Sequence, residues 1–450
     1  MEQHLVDRRP RGPVAGKIAL MLAVLSVALF VTNSLLGPSA AEPVLKGLGP
    51  SRNLGVNPSD LTASVLLWCA IAVGGLSLFF GWLALGRGWQ ISPKRLQIGG
   101  LGAAAVMAAV PPLGSTDVLS YAVYGRMAAL GLNPYTHTVQ DLLAQQDPVG
   151  QAYAGAWDQV SSVYGPVGSM SQLLTSWLSG DSMRMFALWT QVLELGCFIG
   201  IALMLDASVR SDVSARRRVG FLFTCNPLLI FMVVNSGHID GLAVLFGIAA
   251  LLVVRRSPAA AGVLVALSVG TKVSFVLYGL ALLWALRHSR RDLTRFVLVA
   301  AGSLVVLFAP FLPELLSPLR QASQYVARQS PWHLLASPAR YVMEEATIHS
   351  IVSVLAWTLI SVVVWRLAKV VPRQVDRSDA STEACWAAAL LGVAWLLAST
   401  YALAWYDVLA WAPLLVLPAS RVDVVLLVRT SVVAFVYAPG LAFFTTGGFH

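Results

Sequence analysis

The chain has 450 residues, 57% of them hydrophobic and only 12% charged, with a mean hydropathy of +0.71. A soluble globular domain carries about 25% charged residues, so that class is excluded, and apolar runs of bilayer-spanning length recur along the chain. The net charge of +9 does not mark a nucleic-acid groove, because most Lys and Arg sit in short connectors that alternate with cation-poor ones, the positive-inside pattern.

Residues 1–17 carry Arg8, Arg9, Arg11 and Lys17 and are predicted to be cytoplasmic. The apolar run 18–36 exceeds the roughly 7 to 15 residues of a signal-peptide core, so it reads as an uncleaved span. Residues 37–60 form an outer loop, 61–85 return inward to Arg87, Lys94 and Arg95, and 98–113 lead out again. Residues 114–181 hold five aspartates against one cation, Arg126. That composition predicts a long external loop, and loops of such length are usually functional. Spans follow at 182–205, at 219–235 (interrupted by Asn226-Pro227) and at 242–254. Residues 259–286 have cations at both ends, Arg255 and Arg256 on one side and Arg287 on the other. They break at Gly270-Thr271-Lys272, which predicts two half-length helices meeting at a polar tip. A span at 296–312 leads to a second external loop, 317–350, and spans at 351–368, 384–399, 403–419 and 423–440 complete the chain. The whole reads as a single-domain, all-α polytopic membrane protein over residues 1–450. It has about 13 spans including the two half-helices, and its C-terminus is outside. Cys69, Cys197, Cys225 and Cys385 lie in apolar runs without metal or disulfide spacing and read as small buried residues.

The polar residues of the outer connectors carry the candidate chemistry. If residues 117 onward are helical, positions 117, 121, 124 and 128 share a face, which presents Asp117, Tyr121 and Tyr124. Two roles stay open for Asp117. Ser115, Thr116 and Asp117 are all capping residue types, and an acid in the first turn suits the helix dipole. A carboxylate at a water-lipid boundary is equally a candidate general base. The tyrosines suit either an interfacial belt or a site. His238 and Asp240 either begin a helix or, with Asp117, hold a divalent ion, for which the ligand set is incomplete. Lys272 is an ionisable group inside an apolar stretch, a position that is functional by default. Gly270-Thr271-Lys272 lacks the glycine spacing of a phosphate loop.

Five motifs then occur in one order along most of the chain: Ser115-Thr116-Asp117-Val118-Leu119-Ser120-Tyr121, Gly131-Leu132-Asn133-Pro134-Tyr135, Tyr164-Gly165-Pro166, Gly237-His238-Ile239-Asp240 and Gly270-Thr271-Lys272. Together they resemble the polyprenol-phosphate-mannose-dependent α-(1→6)-mannosyltransferases of the GT-C superfamily. Ala404-Trp405-Tyr406 resembles that family's Pro-Trp-Tyr, with Ala in place of Pro. The resemblance implies a GT-C-like fold, a polyprenyl-phosphate-mannose donor and a mannan- or lipomannan-type glycolipid acceptor. It implies a site at the outer face of the plasma membrane and no cofactor. Asp117 is then the catalytic residue that takes the proton of the acceptor hydroxyl during an inverting attack. His238, Asp240, Lys272 and Arg328 would hold the donor phosphate and sugar, and Tyr121, Tyr124 and Tyr135 would stack on sugar rings. The rival reading is a transporter or flippase of lipid-linked sugars, which internal repeats would favour, and none is evident. A membrane scaffold without chemistry is the third.

Overall fold

The computed structural model describes residues 12–438 apart from 156, 328–329, 340 and 373–378. All regular structure among the described residues is helical. Seven described helices are long and apolar enough to cross a bilayer: Gly12–Leu36, Asp60–Gly86, Met183–Ser208, Val213–Asn235, Arg290–Phe311, Glu345–Val370 and Ala380–Ala398. The chain is thus a multi-pass membrane protein. The seven fall short of the hydropathy count of about 13 because several apolar runs fold as pieces, whereas an unassisted span needs about 20 residues. Asp240–Val253 and Pro258–Thr271 have 14 residues each, and Val276–Leu286 has 11.

Local sequence explains the breaks. Pro227 has no N–H to donate, and the chain there passes from one π-helical turn, Gly220–Thr224, to another, Ile230–Asn235. The Asn226 side chain accepts from the N–H groups of Leu228 and Leu229 and donates to the Leu222 carbonyl, so the interruption leaves those groups paired. At the second break, Pro258–Thr271 ends, Lys272 is extended, and a short 3-10 turn, Val273–Phe275, restarts the helix. Between the long helices the contacts are made by small residues and hydroxyls. Ser26 donates to the Ala70 carbonyl at 2.7 Å and Ser77 to the Ala19 carbonyl at 2.8 Å, which satisfies polar groups where lipid cannot.

The connectors sort to two ends of the bundle. At one end Arg217 donates to the Ile91 carbonyl, Arg218 pairs with Asp423, Ser381 donates to the Leu252 carbonyl and Arg287 pairs with Glu383. The connectors joined there are those in which the sequence concentrates Lys and Arg. At the other end the Gly114 N–H donates to the Ala41 carbonyl, Gly165 to Thr271 and Ala327 to Thr400. The Lys272 break lies at this second end, together with both long loops. The first of these is built of four helices: Asp117–Ala129, Val139–Ala144, Pro148–Ala152 and Pro166–Ser179. Single cysteines at Ala144 and Ser214 in a cysteine-free background are therefore expected to react with an impermeant reagent from opposite sides of sealed vesicles. Labelling of both from one side would remove this arrangement.

Candidate active site

The site is assembled where the second end of the bundle closes over Asp117. The turn before Asp117 is latched in place by Asn235, whose amide donates to the carbonyls of Met107 and Pro111 and accepts from the Leu113 N–H. Ser236 adds a bond to the Leu113 carbonyl. Gly114 then turns with φ +81°, and a Cβ there would lie 2.6 Å from the Phe231 ring, so only glycine suits the position. Thr116 is the N-cap of Asp117–Ala129, its own side chain makes no capping bond, and the Ser115 hydroxyl accepts from the Asp117 N–H at 3.1 Å. The capping role left open for Asp117 is thus not the one its carboxylate plays. Arg126 instead pairs with Asp147 at 2.7 Å, pinning the far end of the helix.

Four other sequence motifs converge on Asp117. Its Oδ2 lies 3.7 Å from His238 Nδ1, with the carboxylate 19% exposed and the imidazole almost wholly buried. The His238 ring lies flat on Trp405, with centroids 3.7 Å apart and planes within 10°. Lys272 donates to both carboxylate oxygens of Asp240 at 2.8 Å, and its ammonium sits 3.7 Å above the Tyr406 ring, a cation–π contact. The turn at Tyr164-Gly165-Pro166 packs on Gly270-Thr271-Lys272 so closely that a Cβ at Gly165 would fall 2.2 Å from the Gly270 carbonyl oxygen. Ala404-Trp405-Tyr406 forms a 3-10 turn, Ala404–Asp407. Asp407 anchors it by pairing with Arg429 and accepting from Thr430. Arg429, whose place inside an apolar span is costly alone, is thus neutralised within the protein.

Three connected cavities meet here. An apolar groove of about 430 Å³ is lined by Lys272, Leu277, Trp357 and Ile360. An outer chamber of about 860 Å³ is lined by Glu42, Thr116, Asp117, Trp157 and Tyr401. Between them lies a neck of about 140 Å³ with Asp117, Tyr124, Tyr325 and Tyr406 in its wall. Tyr325 and Tyr401 line all three cavities. Burial pushes the Asp117 carboxyl up to about 6. Lys272 opposes that rise, Asp240 adds to it, and a hydrogen bond from the Trp157 side chain opposes it. Among the described residues, no group of three or more His, Cys, Asp or Glu is placed to hold a metal ion.

The structure brings Asp117, Tyr124, His238, Asp240 and Lys272 together, but their surroundings redistribute the expected roles. Tyr124 lines the neck, with its hydroxyl donating to the Val160 carbonyl. Tyr121 is 1% exposed, and its hydroxyl lies between Tyr164 and His238. Tyr135 is 2% exposed, bonded to Ser169 and edge-on to Phe311. Stacking on a sugar needs an open ring face, which neither Tyr121 nor Tyr135 offers; both brace the first loop. His238 and Asp240 are buried, His238 beside Asp117 and Asp240 paired with Lys272. Arg328 lies outside the described residues. The sequence reading assigned no role to Trp157, Tyr325, Tyr401, Trp405 or Tyr406, although aromatic rings in cation-poor outer connectors were a signal that such a wall exists.

Residues 14–288 match the family described as alpha-(1->6)-mannopyranosyltransferase, N-terminal domain. A protein of Mycolicibacterium smegmatis (strain ATCC 700084 / mc(2)155), named probable alpha-(1->6)-mannopyranosyltransferase, is 26% identical over 181 residues. That stretch covers 38% of this chain and 31% of the relative, so the likeness spans about a third of the relative's length. No solved structure matches the chain.

Proposed function

The chain belongs to the alpha-(1->6)-mannopyranosyltransferase family, and from that premise we propose that it transfers mannose from polyprenyl-phosphate-mannose to a mannan- or lipomannan-type glycolipid. The transfer inverts the anomeric carbon and forms an α-(1→6) linkage. In this reading the short apolar pieces complete a GT-C-like bundle of about 13 segments. The cation-rich end and the N-terminus face the cytoplasm, and the site faces outward. The observation that carries the proposal is the position of Asp117 in a neck between two cavities that hold charges of opposite sign. One has the Lys272 ammonium at its head, and the other has carboxylates set among aromatic rings.

The chemistry follows from that partition. The polyprenyl chain lies in the groove beside Trp357 and Ile360, which puts its phosphate near Lys272. An acceptor hydroxyl entering from the chamber attacks the anomeric carbon as Asp117 takes its proton. The bond from that carbon to the phosphate oxygen breaks through an oxocarbenium-like state. The electron pair leaves with the phosphate, whose growing charge Lys272 stabilises. Asp240 holds Lys272 in place, and His238, clamped by Trp405, backs Asp117.

The direct test is purified protein with radiolabelled polyprenyl-phosphate-mannose and a short α-mannoside acceptor. Labelled, α-(1→6)-extended product is expected, and GDP-mannose should not replace the donor. Turnover of GDP-mannose by carrier-free protein would overturn the lipid-donor reading, and lipid transport without glycosidic transfer would favour a flippase. A pH profile gives a second check. A base works only when ionised, so kcat/KM for the acceptor should rise with pH through about 6 and then level off. A rate that falls across the same window would assign Asp117 the opposite role.

A further inference from the structure

One wall of the outer chamber is aromatic, and one of its rings, Trp157, also hydrogen-bonds Asp117. Trp157 comes from the first long loop, Tyr325 from the second and Tyr401 from the segment before Ala404–Asp407. Their rings form a stepped row: Trp157 and Tyr325 have centroids 5.8 Å apart at 32°, and Tyr325 and Tyr401 lie 6.0 Å apart at 49°. All three are half-buried and line the chamber. Among the described residues no hydrogen bond engages the hydroxyl of Tyr325 or Tyr401. No described Lys or Arg lines the chamber, whereas the groove holds Lys272.

We propose that the chamber binds the uncharged end of an oligosaccharide acceptor, with sugar rings stacked on Trp157, Tyr325 and Tyr401. This rests on the mannosyltransferase reading for the bond that is made, but not for what the chamber recognises. The C–H face of a pyranose ring packs on aromatic faces, and its hydroxyls need groups that donate as well as accept. Among the described residues an anionic acceptor would find no Lys or Arg in the chamber wall to offset the hydration it loses.

The test is calorimetric titration of the full chain in nanodiscs with a short α-(1→6)-linked oligomannoside, without donor. Saturable binding is expected. Tyr325→Ala and Tyr401→Ala should each weaken it about tenfold, while Tyr325→Phe, which keeps the ring, should stay within about twofold of wild type. A phosphorylated mannoside should bind at least about tenfold less well than the neutral one. Alanine variants that bind like wild type, a phenylalanine variant as weak as alanine, or equal binding of the two mannosides would each overturn the proposal. Wild-type protein that binds the oligomannoside but transfers no mannose would overturn the mannosyltransferase reading and leave the chamber assignment standing. Mannose transfer with normal binding by both alanine variants would do the reverse.

Discussion

Asp117→Asn is expected to lower mannosyl transfer by about 10²–10⁴-fold, the usual contribution of a positioned general base, while leaving the protein folded. Asparagine keeps the size of the side chain but cannot accept the proton. The helix that Asp117 opens loses no cap, because the Ser115 hydroxyl, and not the Asp117 side chain, accepts from its first N–H. It loses only the interaction of a negative charge with the helix dipole, about 0.3–1 kcal/mol. An opposing term is present as well. Burial raises the carboxyl of Asp117, so at pH 7 its ionised form is less favourable in the folded protein than in the unfolded chain, and a neutral amide removes that penalty. The variant should therefore melt close to wild type. Donor affinity should persist, because the carboxylate acts on the acceptor hydroxyl. Transfer rate, donor affinity and melting temperature measured together decide the matter. Transfer within a few-fold of wild type would move the base elsewhere.

Lys272→Met should act on both stability and donor binding, and a second substitution separates the two effects. The ammonium is bound by both oxygens of Asp240, with the two side chains 13% and 2% exposed. Removing it alone leaves a buried carboxylate unpaired, which costs about 3–5 kcal/mol. Lys272→Met/Asp240→Asn removes both charges and should recover much of that loss. Donor binding should not recover with it. A lost charge-assisted hydrogen bond to phosphate costs about 1.5–3 kcal/mol, roughly 10- to 150-fold in affinity. A double variant that folds well and binds donor as tightly as wild type would reduce Lys272 to a structural ion pair and place the phosphate contact on another residue.

Much of this architecture was legible in the sequence because its causes are local. Arginine and lysine are costly inside a bilayer, so Arg87, Arg217 and Arg287 marked their end of the bundle wherever the fold later put them. The cations on both sides of residues 259–286 required a turn-back, and Gly270-Thr271-Lys272 was the polar point at which the helix could stop. Asp117 opened its helix as the capping-type residues ahead of it suggested. Which groups share a cavity was a different question. Helical periodicity put Tyr121 and Tyr124 on the face of Asp117, yet only packing against Tyr164 and Val160 decides that one is sealed and the other lines the neck. Lys272 meets Asp240 across 32 residues, and Trp405 reaches His238 from the far end of the chain. The sequence by itself determined which connectors are cation-rich and where the helices break, because burial cost and hydrogen-bond supply act within a few residues. The tertiary structure alone decided that Asp117 stands between groove and chamber, with the aromatic wall assembled from three separate segments. Those contacts exist only once distant pieces of chain have closed on one another, and no spacing along the chain encodes them.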